Sequence, residues 1–336
     1  MKLQLIRLLI VFIFIFGLVL MLSYGWLHER QLSEVKPASL PTLKDITFQQ
    51  RPVHVPFVLR NGSIFVQVYI GSKRVEGILD TGCNEVVWPE WMRLVGTQTG
   101  FFSTINDTQG LSQRANEVIL NNISIGGYTI KRLRTYKVMG VHNPAKQPGT
   151  ARQHLLLGNS FFLNTALTID YSKKEITIQS PNCAFYEYRA KTDRYRVGFK
   201  WLPHDGSQRV GVPAIEGKIN GRSALIEVDT DWNTNNIAIA DRLWRHLASE
   251  QHWHTRPMRM GTSLGTTTVE YNDKLEIKIP VVADKNKTEI TVITPAVRTN
   301  SATNGADAII GTAFLSRYRV IINYPRQLVC LESFSH

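Results

Sequence analysis

The chain has 336 residues, of which 43% are hydrophobic and only 20% charged. That balance excludes a disordered polyelectrolyte and leaves enough apolar surface for the core of one large or two medium domains. The formal net charge of +12 reads as a solvated basic surface, with attraction to anionic lipid headgroups as the alternative. No basic helix and no basic–aromatic interleaving marks the chain as a nucleic-acid binder.

In chain order, the first feature is the uncharged run Leu8 to Leu27. Twenty residues at helical rise span about 30 Å, the thickness of a hydrocarbon core. A cleavable signal has a shorter apolar run followed by a small-residue site, and Ser23-Tyr24-Gly25-Trp26 offers none. Residues 1–27 are therefore expected to be an uncleaved transmembrane anchor with membrane lipid as partner, Tyr24 and Trp26 lying at the interface. The short tail with Lys2 and Arg7 has the signal-anchor layout, although Arg30, Lys36 and Lys44 lie on the other side. It places the body on the non-cytoplasmic side (periplasmic, extracellular or lumenal). Residues 28–55, with Pro37, Pro41 and Pro52, read as a linker.

From Val53 the pattern alternates, and one unit of it occurs twice. Val66 to Gly71 and Val75 to Leu79 read as a hairpin whose second strand runs into Asp80-Thr81-Gly82. Ala214 to Gly221 and Ala224 to Val228 repeat that hairpin and run into Asp229-Thr230-Asp231. Gly-bearing tips follow, at Gly110 and Gly265. Then Leu155-Leu156-Leu157-Gly158-Asn159 matches Ala308-Ile309-Ile310-Gly311-Thr312, and strands ending on Tyr171 and Tyr324 close each copy. From Asp80 to Gly158 is 78 positions and from Asp229 to Gly311 is 82. Four landmarks in one order at nearly one spacing indicate two copies of one β-unit. Short helical stretches are expected at Trp88 to Leu94 and Ala240 to Ala248. The polar run 183–208 reads as a connector between a first lobe at 56–182 and a second at 209–336.

Asp-Thr-Gly at a strand end, followed later by two aliphatics and a glycine, resembles the retropepsin/pepsin clan of aspartic peptidases. The resemblance covers about residues 56–182 and 209–334. It implies a mainly β, bilobal acid-protease fold made of two similar β-barrel lobes, here preceded by one transmembrane helix. It also implies a monomer with a peptide or protein substrate in the cleft and no cofactor or metal.

Two carboxylates a few Å apart share one proton, because like charges that close do not both ionise. The ionised member then activates water and the protonated member polarises the scissile carbonyl. By the resemblance, Asp80 and Asp229 are the catalytic dyad, supported by Thr81, Gly82, Thr230 and Asp231, with Gly110 and Gly265 as flap candidates. Asp231 departs from the family's glycine. A third carboxylate there, if buried, is expected to raise neighbouring pKa values and move activity toward acid; otherwise it points away, or marks a lobe that has lost catalysis. The run Asp229, Asp231, Asn233, Asn235 also suggests a calcium loop, but lacks glycine at the sixth position and an acid at the twelfth.

Of the three cysteines, Cys83 reads as a small buried hydrophobe, while Cys183 and Cys330 are a candidate disulfide pair. The expected function is a membrane-anchored aspartic endopeptidase. A catalytically inactive homologue that binds peptides in the same cleft, and an anchored β-rich adhesion module, remain as alternatives.

Overall fold

The computed structural model describes residues 46–47, 52–83, 87–89, 96–106, 112–138, 155–181, 194–202, 211–261, 266–283, 286–299 and 305–334. All of them belong to one compact unit, Leu40–His336. The first half contributes β1 (Ile46–Thr47), β2 (Val53–Pro56), β3 (Val58–Arg60), β4 (Ser63–Ile70), β5 (Lys73–Leu79) and β6 (Val87–Pro89). It continues with β7 (Gly96–Asn106), β8 (Ser112–Ile125), β9 (Tyr128–Val138), β10 (Leu155–Leu157), the one-turn helix α1 (Asn159–Phe162), β11 (Ala166–Asp170) and β12 (Glu175–Gln179). The second half begins with β13 (Arg194–Leu202), β14 (Val212–Ile219), β15 (Arg222–Val228), β16 (Ile237–Ala240) and helix α2 (Asp241–Gln251). It ends with β17 (Arg256–Gly261), β18 (Thr266–Ala283), β19 (Asn286–Thr299), β20 (Ala308–Ile310), α3 (Thr312–Leu315), β21 (Tyr318–Asn323) and β22 (Leu328–Ser333).

The repeat is visible in how β5 and β15 are held. Each is paired antiparallel with its hairpin partner, β4 or β14. On its other side each is paired parallel with a three-residue strand, β10 or β20. A strand flanked on both sides and covered on both faces is buried without alternation at its end. Gly77-Ile78-Leu79 and Ile226-Glu227-Val228 are accordingly buried residue after residue. The β14–β15 turn is Asn220-Gly221, both at positive φ (46° and 83°), the two-residue turn that matches strand twist. Helix α2 buries Leu243, Trp244 and Leu247 on one face, and its C-cap His252 turns left-handed at φ 49°.

Two sheets result. One has nine strands in the order β1-β9-β6-β10-β5-β4-β8-β7, with β3 added on β4. The other has thirteen, in the order β17-β18-β19-β16-β20-β15-β14-β13-β22-β21-β11-β12-β2. The expectation of two similar β-barrel lobes is thereby corrected. The sheets are unequal, and β2, β11 and β12 of the first half belong to the second half's sheet, through five rungs from Ala166↔Asn323 to Asp170↔Arg319. Apolar faces of strands from both halves bury more surface in one joined sheet than each would alone.

Of the helix expected at Trp88 to Leu94, the first two residues are instead part of strand β6 (Val87–Pro89), paired parallel with β9 and antiparallel with β10; residues 90–94 lie outside the described residues. Residues 194–202 of the expected connector form β13, which seats Val197, Phe199 and Leu202 in the core. The transmembrane anchor at residues 8–27 lies outside the described residues. Among the described residues no helix is long and apolar enough to cross a membrane. The anchor, the lipid partner and the non-cytoplasmic placement are therefore withdrawn.

Candidate active site

Both aspartates stand one residue beyond a central strand, fixed there by the parallel neighbour. The Asp80 N–H donates to the Leu157 carbonyl at 3.1 Å, and the Asp229 N–H to the Ile310 carbonyl at 3.0 Å. Past this point the two turns meet. The Thr81 N–H donates to Thr230 Oγ1 at 3.1 Å and the Thr230 N–H to Thr81 Oγ1 at 3.0 Å. Each hydroxyl then donates to a carbonyl of the other half, Thr81 to Val228 at 2.7 Å and Thr230 to Leu79 at 2.9 Å. The two threonines are 1% and 0% exposed, so the four bonds are made without competing water and tie the turns rigidly.

The carbonyls of the two threonines are held in turn by the residues after the second glycine of each repeat. Asn159 Nδ2 donates to the Thr81 carbonyl at 2.7 Å and the Cys83 carbonyl at 3.0 Å. Thr312 Oγ1 donates to the Gly62 carbonyl at 2.7 Å and, at 3.2 Å, to the Thr230 carbonyl. Sequence reasoning used these positions as landmarks and missed their role. The signal was there: a polar residue follows the glycine in both copies, where the preceding strand is wholly apolar.

The tied turns bring Asp80 and Asp229 into hydrogen-bond contact, with 8% and 7% exposure. Gly82 lies against the pair: a Cβ added there would sit 2.5 Å from Asp229 Oδ2. Burial raises the Asp80 carboxyl well above the usual range, and the charges of Asp229, Asp231 and Glu227 push it further. Burial also raises Asp229, but N–H groups of Asp231, Trp232 and Gly82 favour its ionised form. Both carboxyls are raised, Asp80 the more strongly.

Asp231, at the position where the first copy has glycine, turns its carboxyl toward Ser63. Its Oδ1 is shielded and makes no hydrogen bond, although part of the side chain stays accessible. Burial first, then the Asp229 charge, push its pKa up to about 7. Two polar groups of the suggested calcium loop are used within the fold. Asp229 Oδ1 accepts from the Asp231 N–H at 2.8 Å, and Asn233 Nδ2 donates to Ser63 Oγ at 2.8 Å. Glu227, 2% exposed on β15, is a further carboxyl near Asp80 that the sequence reading passed over.

Gly110 and Gly265 lie outside the described residues, between β7 and β8 and between β17 and β18. Those strands pair antiparallel up to Asn106↔Ser112 and Gly261↔Thr266. Cys83 is half-buried against Ala115, Tyr136 and Val138. Cys330 is a buried thiol outside any disulfide; burial pushes its pKa up to about 12. Its suggested partner Cys183 lies outside the described residues.

No family model matches the chain, and no curated protein matches it. Among solved structures, the aspartic proteinase from Irpex lacteus aligns with a TM-score of 0.52 at 13% identity, over 85% of this chain and 98% of that one. At such identity the likeness concerns the fold. The family assignment expected from the motifs is corrected accordingly: the chain has a distant structural similarity to an aspartic-protease fold, and its described residues do not form two self-contained lobes.

Proposed function

We propose that this chain is an aspartic-type endopeptidase that hydrolyses bonds in a peptide or protein substrate. The observation that carries the reading is the crossed pair of threonine hydrogen bonds, which joins two copies of one motif at their aspartates. In this reading Asp229 is the base and Asp80 the acid. Asp229 takes a proton from a water whose oxygen attacks the scissile carbonyl carbon, while Asp80 donates to the carbonyl oxygen. Collapse of the tetrahedral adduct returns a hydroxyl proton to Asp80 as the carbonyl reforms and the C–N bond breaks, and the leaving nitrogen takes the proton that Asp229 had accepted. Gly82 lets the backbone approach Asp229 without a side chain between them, and the threonine frame holds both carboxyls without reorganisation. The acid, the base and their supports all come from one chain, so a monomer suffices.

The test is cleavage of a mixed peptide pool by the purified full chain beside Asp80→Asn and Asp229→Asn. Each variant is expected to lose cleavage, since a shared-proton pair needs both members. Cleavage that survives in Asp229→Asn would remove the second copy from the chemistry. Asp231 favours a second reading, a peptide-binding homologue without catalysis. It predicts that the wild-type chain binds peptides without cleaving them and that Asp231→Gly cleaves.

A further inference from the structure

The frame behind the Asp80 turn extends one residue further than the frame behind Asp229. Tyr324, the residue after β21, is 1% exposed. Its ring is stacked with Trp201 at 5.9 Å and with Phe162 at 6.4 Å, and meets Phe199 edge-on at 6.5 Å. Held in this way, its hydroxyl donates to Asn159 Oδ1 at 3.0 Å. Asn159 is itself 0% exposed, and a primary amide offers an acceptor on one side and two donors on the other. The donors face the carbonyls of Thr81 and Cys83, with a longer contact to Gly211 at 3.4 Å. Reversing the amide would set its oxygen against two carbonyl oxygens. The Tyr324 hydroxyl satisfies the one group of Asn159 that would otherwise be buried without a partner, and so completes the orientation.

Tyr171 occupies the same place in the first copy, after β11. It is 9% exposed and lies edge-on to Phe57. Its hydroxyl lies beside Thr312 and within the field of Asp229, yet it makes no hydrogen bond within normal geometry. Thr312 needs no such partner, because its single hydroxyl proton already points at the Gly62 and Thr230 carbonyls. An amide has to be oriented by what surrounds it, whereas a hydroxyl rotates to suit. The two tyrosines are alike in burial and repeat position, but Tyr324 hydrogen-bonds the residue that holds its aspartate turn, whereas Tyr171 only lies beside Thr312.

We propose that Tyr324 is a positioning residue for Asp80. Through Asn159 it fixes the Thr81 carbonyl and hence the turn that carries the Asp80 carboxyl, a role Tyr171 does not have for Asp229. The proposal rests on the reading of Asp80 as the acid of the pair, and it concerns how that acid is held rather than whether the chain cleaves peptides. The acids that face Asp80 are Asp229, Asp231 and Glu227, with the Gly82 N–H donating to it, and the Tyr324 hydroxyl also lies within its field. Tyr324→Phe removes none of the three acids, and the hydroxyl it deletes is uncharged over the range in which carboxyls titrate, so a change in Asp80 of the size of a lost charge is not expected and a shift reports the turn.

The experiment compares the full chain with Tyr324→Phe and Tyr171→Phe, each carrying 13C-carboxyl aspartate, by NMR titration, together with peptide-cleavage kinetics and thermal melting. In Tyr324→Phe the Asp80 midpoint is expected to fall by about one pH unit as the turn loosens toward solvent. The kcat is expected to drop about tenfold with KM unchanged within about twofold, the pattern of a group misplaced in the transition state. Tyr171→Phe should leave midpoint and kcat where they are. An unmoved Asp80 midpoint in Tyr324→Phe, or equal shifts in the two variants, would overturn the proposal and reduce Tyr324 to a core side chain. A wild-type chain that cleaves nothing would count against the endopeptidase reading alone, since the carboxyl titration still decides this one.

Discussion

The turns Asp80-Thr81-Gly82 and Asp229-Thr230-Asp231 make the same crossed threonine hydrogen bonds and differ at their third residue. At Gly82 no room exists for a side chain, because the Asp229 carboxyl fills it. At Asp231 a whole carboxyl is accommodated by turning toward Ser63. The near-symmetry of the site therefore comes from the threonines and the strand pairings, and the third residue is free to break it. One side packs a carboxylate tightly and feeds it N–H groups. The other adds a third acid to the same small volume.

The largest effect that would break the comparison is removal of either aspartate. Asp80→Asn and Asp229→Asn should each lower kcat by about a thousandfold or more, measured on the same peptide pool. Next comes Gly82→Ala, whose methyl group must displace the Asp229 carboxyl. A shift of about 1 Å in a reacting group costs about a hundredfold, so a kinetic loss of that order is expected. Asp231→Gly should retain activity, and equal losses at the two positions would show the turns to be equivalent after all.

The threonines should behave alike. Thr81→Val and Thr230→Val each leave a buried N–H and a buried carbonyl without a partner, at about 1–3 kcal/mol per group. Denaturant unfolding should show similar losses for the two, while Thr→Ser at either site keeps the hydroxyl and most of the stability. Unequal losses would mean that one half carries the frame.

The smallest expected effect is on pH dependence. A carboxyl raised on folding adds stability below its unfolded pKa and loses it as pH rises through the folded value. For Asp231 that loss runs from about 3.8 up to about 7. The melting temperature of the wild-type chain should therefore fall between pH 4 and pH 8 more steeply than that of Asp231→Gly. For activity, the Asp231 charge raises the Asp80 pKa, which lets the singly protonated pair persist to higher pH. Asp231→Gly should then move the rate optimum toward acid. This sign is opposite to the one expected from sequence, because raising both pKa values of a shared-proton pair moves its working window upward.

What the sequence made legible was whatever leaves a local trace. The hairpins β4–β5 and β14–β15 show in their alternation and in Asn220-Gly221, and the two aspartates show because their surroundings are repeated. Strand β13 was hidden because Arg194, Arg196 and Lys200 make it look like a solvated charge run. Its inward positions, Val197, Phe199 and Leu202, are two or three apart and easily missed; Arg194 is half-buried in an ion pair with Glu332 at 2.6 Å. Asn159, Thr312 and Tyr324 were hidden for a different reason. Their partners lie 52 to 250 positions away, so the polar residue after each glycine is visible in the sequence but the groups it holds are not. The joining of β11 to β21 is equally silent, since either strand would read the same beside another partner.

That joint has a consequence for the order in which the chain is made. Strands β2, β12 and β11 leave the ribosome in the first half, but the edge of β11 stays open until residues 318–323 follow. At about 5–20 residues per second, the wait is on the order of ten seconds. Throughout it, the hydrogen-bonding edge of Ala166–Asp170, five buried residues long, is a template for any strand that reaches it first. A nascent neighbour on the same message offers one such strand, the β21 of another copy. The first half on its own would keep that edge open permanently, and the readiest repair is exchange between chains. Shortening the interval, by speeding translation of residues 171–323, should raise the yield of single-chain protein over exchanged dimers.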